Sequence, residues 1–185
     1  MAYDIVTIEP TVNATAYTAG DVFFGMTAFN LPARSCKLIN AFLEVHATGV
    51  ADEESLSVMF FQDNTGGPLS GATGGINSDA DITESNFILN KYVGTISMVS
   101  DAAQQVVDIV NTVGFYHGAS VISTKDSANS NIHDIRMILK AGADKDPSDT
   151  PSTNRHIMYV SGLVNSGTPN LAASPTVKLH LHLEY

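Results

Sequence analysis

The side chains with the clearest capacity for chemistry stand near the C-terminus, where His180, His182 and Glu184 alternate with Leu181 and Leu183. In an extended strand alternate residues share a face and follow one another at about 7 Å. Two imidazoles and a carboxylate so placed are donor types that zinc accepts. The plainer reading puts both histidines on the polar face of a strand, exposed or at an interface between subunits. No metal or other cofactor is therefore expected, and His180, His182 and Glu184 are the residues that would contradict this.

Other chemistries fare worse. Two acidic groups, Asp79, Asp81 and Glu84, and Asp144, Asp146 and Asp149, offer oxygen ligands of the kind calcium takes. Neither follows the twelve-residue EF-hand pattern, and Asp in a turn commonly bonds its own backbone. A Gly-x-Ser-x-Gly elbow is absent, and the glycine-rich stretch has no Lys-Ser/Thr after it to hold phosphate. Paired carboxylates of the glycosidase kind carry no weight among 19 acidic residues, which supply accidental pairs in any fold. The chain is read as a non-enzyme. A carbohydrate- or receptor-binding sandwich is the main alternative: there is no Trp, so Tyr92, Tyr116 and Tyr159 would have to supply its aromatic platform. A cupin-like metal enzyme is a further alternative, although there the His-x-His pair precedes its acid by a longer gap. The sequon Asn13-Ala14-Thr15 accepts a glycan only in a secretory pathway.

Composition narrows the partners. A formal charge of −10 repels a phosphate backbone, and no Lys/Arg cluster offsets it, so direct nucleic-acid binding is not expected. With 44% hydrophobic and 15% charged residues the chain belongs to the folding class, and its 185 residues suit one domain. Cys36 is the lone cysteine, which excludes an internal disulfide and reads as a small hydrophobe on a half-buried strand. Neither a signal-like N-terminus nor an apolar run of membrane-spanning length is visible, so no membrane partner is expected.

The elements that must position these residues are short strands. From Thr176 to Tyr185, Val177, Leu179, Leu181, Leu183 and Tyr185 fall on one face and Lys178, His180, His182 and Glu184 on the other. From Cys36 to Thr48 the pattern puts Ile39, Ala41, Leu43, Val45 and Ala47 opposite Asn40, Phe42, Glu44 and His46. Leu56–Gln62, Asp21–Phe29, Phe87–Val99, Asn131–Lys140, His156–Val164 and Ile5–Ile8 complete roughly eight strands, the number in a jelly roll. Asp101–Val113 fits helical spacing as well as a strand; its Val and Ile content favours strand, with Gly114 and Gly118 as turns after it. Asp63–Ser85, Gly142–Asn154 and Asn165–Pro175 read as exposed loops rich in Gly, Ser and Asn. The expected fold is thus all-β: one jelly-roll-like two-sheet sandwich over 20–185, with 1–19 either an arm reaching a neighbouring subunit or an edge strand.

This layout, with the flush terminal strand Val177-Lys178-Leu179-His180-Leu181-His182-Leu183-Glu184-Tyr185, resembles the jelly-roll capsid decoration, or cement, proteins of tailed bacteriophages. The resemblance implies a homotrimer on the capsid exterior of the virion, assembled in the host cytoplasm and bound to the major capsid protein. It also implies that Tyr3, Ile5 and Tyr17 in the arm, and His180 and His182 on the polar face, lie at interfaces.

Overall fold

The computed structural model describes residues 1–46, 55–69, 76, 79–80, 84–99, 113–120, 137–142, 156–167, 169, 171 and 176–185, with backbone alone at 46, 84, 99 and 113–120. Among these residues the strands are β1 (Tyr3–Ile8), β2 (Val22–Leu31), β3 (Ser35–His46), β4 (Ser55–Phe61), β5 (Tyr92–Val99), β6 (Val113–Ser120), β7 (Met137–Lys140), β8 (His156–Ser166) and β9 (Thr176–Glu184). One short helix, α1 (Glu84–Leu89), lies between β4 and β5.

Antiparallel pairing runs β1-β9-β3-β6-β5-β4-β8-β2, and β7 pairs with the start of β3. The path folds into two four-stranded layers, β1-β9-β3-β6 and β5-β4-β8-β2. They are joined where Ile96–Val99 of β5 meets His117–Ser120 of β6. Each of the pairs β1-β2, β3-β4, β5-β6 and β8-β9 sends one strand to each layer. That nesting is the jelly roll, an architecture common to viral capsid, lectin and cupin domains.

Period-two hydrophobicity builds the core between the layers. In β9, Val177, Leu179, Leu181 and Leu183 are buried, facing Leu56, Val58 and Phe60 of β4 and Met158, Val160 and Val164 of β8 within one cluster. Each such side chain contributes about 1.5–3 kcal/mol on burial. Gly162 of β8 makes room for Phe24: a Cβ there would stand 2.5 Å from the Phe24 ring.

Three expectations are corrected. In β3 the buried positions are Cys36 and Leu38, then Ala41, Leu43 and Val45, because the register with β9 slips between Leu38 and Asn40. That bulge takes Ile39 out of the core face on which strict alternation placed it. The expected strand from Phe87 begins only at Tyr92, since 84–89 forms α1. Lys91, at φ 53°, takes the left-handed conformation that ends the helix, and its N–H bonds the Ile88 carbonyl. Gly114 and Gly118, expected in turns, lie inside β6. Residues 101–112 fall outside the described set.

The outer face of the β5-β4-β8-β2 layer is covered by its own chain. Met59, Phe61 and Leu69 are buried there, with Met26, Phe87, Tyr159 and Leu163 packed around them. So the region 63–85, read as exposed loop, is in part a lid on this sheet. Fully buried Asn90 holds the lid together: its side-chain oxygen accepts from Gly66 N at 2.7 Å and its amide nitrogen donates to the Gly67 carbonyl at 2.9 Å. Asp63 caps Asn64 and Thr65 N–H groups with one oxygen and meets Lys91 at 3.5 Å with the other.

Candidate interaction surface

The other outer face, on β1-β9-β3 with β7, carries most of the residues singled out by sequence. Register aligns its outward side chains in rows. Tyr3, Glu184, Lys37 and Ile138 form one; Ile5, His182 and Asn40 the next; Thr7, His180 and Phe42 the third; Lys178 and Glu44 the fourth. Backbone pairing continues the last two rows to His117 and Phe115 of β6.

His180 ties three strands together. Its Nδ1 lies 3.0 Å from the Thr7 hydroxyl on β1, its Nε2 lies 3.1 Å from Glu44 Oε2 on β3, and its ring stacks on Phe42 at 4.4 Å. His182 meets the same Phe42 ring edge-on at 5.5 Å. Glu184 accepts from Lys37 Nζ at 3.2 Å, and Lys178 reaches Glu9 at 3.8 Å. The three residues weighed as metal ligands are therefore brought to one face but turned to other partners. No group of three His, Cys, Asp or Glu arranged for a metal occurs among the described residues.

Exposed pairs of this kind contribute about 0–1 kcal/mol each. Their chemical effect is local: on a strongly acidic protein, Lys37 and Lys178 offset Glu184 and Glu9 at this face.

Around the ladder the face is apolar and open. Tyr3 is 63%, Ile5 55% and Ile138 66% exposed. A groove of about 470 Å³, lined by Tyr3, Asp4, Ile5, Ile39, His182 and Leu183, runs beside β1. Thus Tyr3 and Ile5 lie exposed at the surface, and His180 and His182 are half-buried beside them.

Tyr17 does not join them. It is wholly buried against Phe23, and its hydroxyl accepts from Asn13 N at 2.6 Å and donates to the Asn13 carbonyl at 3.2 Å. Burial pushes its phenol up to about 12, with the Asn13 hydrogen bond opposing and the Asp21 charge adding. Cys36 is likewise interior: burial raises its thiol, which donates to the Ala33 carbonyl.

Among the tyrosines weighed for sugar binding, Tyr92 is partly exposed and bonded to Thr95 at 2.6 Å, while Tyr159 packs in the covered cluster. The Tyr116 side chain lies outside the described residues, as do Asp81, Asp144, Asp146 and Asp149. Asp79 forms a bridge with Asp21, and Glu84 opens α1.

Sequence reasoning missed Ile39 and Ile138 as members of this surface. Phe42 could have been found, since alternation already placed a large aromatic on the polar face of β3.

No protein-family model matches the chain, and no curated protein matches it. Among solved structures, a chain of Desmodium yellow mottle tymovirus is similar at 10% identity with a TM-score of 0.29, covering 98% of this chain and 79% of that one. A chain of Sacbrood virus of honeybee is similar at 10% identity with a TM-score of 0.27, over 97% and 68%. Superpositions this loose add nothing to the fold assignment, which rests on the strand order itself.

Proposed function

We propose that this chain is a viral structural subunit, a capsid decoration or cement protein that stabilises a head shell by packing against other proteins. One observation carries the reading. The jelly roll covers one outer face with its own lid, whose helix still exposes Ile88 and Leu89, and leaves the other face uncovered. There apolar Tyr3, Ile5 and Ile138 are exposed beside the ion pair of Lys37 with Glu184, the composition of a protein-binding surface.

The finer assignments rest on the resemblance to tailed-phage decoration proteins. They are a homotrimer, the major capsid protein as partner, and a place on the virion exterior. A trimer multiplies modest contacts into firm retention when its sites engage together. The charge of −10 favours an outer over a DNA-facing position.

Sedimentation of the purified chain tests the assembly, with about three times the 19.6 kDa chain mass expected. Co-sedimentation with purified shells tests the role. A monomer that no shell retains would refute both.

A further inference from the structure

Ala2 and Tyr185 exchange both backbone hydrogen bonds, at 2.8 and 3.0 Å. In an antiparallel ladder bonded and non-bonded pairs alternate. Asp4, Val6 and Ile8 therefore bond to β9, while the N–H and C=O groups of Tyr3, Ile5 and Thr7 point away from it. Among the described residues β1 ends the sheet, so those groups form an open edge. Asp4 partly closes that edge, because its Oδ1 accepts from Ile5 N at 2.8 Å. Charged side chains on edge strands guard against indiscriminate pairing.

We infer that the free edge of β1 accepts an extended, basic strand of the shell protein, which adds to the sheet alongside Tyr3–Thr7. This rests on the structural role proposed above and names how its partner is gripped. The edge supplies main-chain hydrogen bonds, and exposed Tyr3 and Ile5 along it give alternate side chains of the incoming strand apolar surface to pack on, the two ingredients of strand addition. Charge selects the occupant. The carboxylate of Asp4, which pairs with no cation among the described residues, turns from Ile5 N to a lysine or arginine of the incoming strand. A second copy of this chain, with 19 acids against 9 bases, is a poor source of that strand.

The test uses the full chain and two synthetic probes, alternating Lys-Val and Glu-Val heptapeptides, titrated by fluorescence anisotropy. The Lys-Val peptide is expected to bind and the Glu-Val peptide not. Ile5→Pro removes an outward N–H without touching the β9 ladder, and is expected to weaken binding at least about tenfold while leaving the thermal melt in place. Asp4→Lys is expected to reverse the preference. Equal binding of both peptides, binding of neither, or an unweakened Ile5→Pro overturns the inference. So does a drop in native mass for Ile5→Pro, which would make the edge a seam between copies. Shells that retain the wild type and Ile5→Pro equally would refute the edge while leaving the structural role intact; a wild type that no shell retains refutes the role.

Discussion

The two outer faces of this sandwich differ in what lies over them, and the difference separates stability from binding. On the β5-β4-β8-β2 side, Phe61 and Met59 are large apolar residues at outward positions, and the chain between β4 and β5 folds back to bury them. On the β1-β9-β3 side, outward Tyr3, Ile5 and Ile138 stay exposed, and the polar residues between them bond to one another instead of to a lid. The same positions of the strand pleat thus do opposite work. One set adds to the free energy of folding, and the other is available to a second molecule.

Substitutions sharpen this contrast, beginning with the largest. Phe61→Ala, in the covered cluster, is expected to cost about 3–5 kcal/mol in chemical denaturation. A loss under about 1 kcal/mol would mean that the lid contributes little. Asn90→Ala leaves Gly66 N–H and the Gly67 carbonyl without their bonds, and about 2–3 kcal/mol is expected from the same measurement. On the open face, His180→Ala removes the Thr7 and Glu44 contacts and the Phe42 stack, with about 1 kcal/mol expected. Hydrogen exchange should then show earlier opening at the β1–β9 pairing than elsewhere. Ile5→Ser is expected to stay within about 0.5 kcal/mol of the parent while reducing retention on shells. A stability loss as large as that of Phe61→Ala would erase the distinction between the faces.

Strict alternation made much of this readable in advance. β9 was legible from Val177 to Glu184, because four apolar positions face four polar ones without interruption, although Tyr185, placed on the apolar face, is 43% exposed. The existence of β4 and β8 was legible too. Interruptions hid the rest. A single bulge at Ile39 shifts half of β3 by one position, and nothing in the local composition announces it. Gly114 and Gly118 mimic turns although β6 runs through both. The apolar run at Phe87 conceals a helix whose end depends on Asn90, a buried amide that meets its partners some 23–24 residues away in sequence. Tyr17 sits among Thr, Ala, Asn and Gly, which signal loop, and only tertiary closure over Phe23 makes it interior. Face assignments were local and readable; coverage of a face by a distant segment was not.

The pairing of β1 with β9 has a consequence for biosynthesis. Tyr3 opposes Glu184, so β1 waits until β9 has been made before it acquires its neighbour. Until Thr176–Glu184 leaves the ribosome, β1 and β3 have an empty slot between them where β9 belongs, and their apolar inner residues stay solvated. Contacts this remote along the chain form slowly and leave unfinished sheets prone to aggregation. Until β9 is present, the slot between β1 and β3 can take the β9 of another copy, and crowding of nascent chains on one message would favour such pairing in trans.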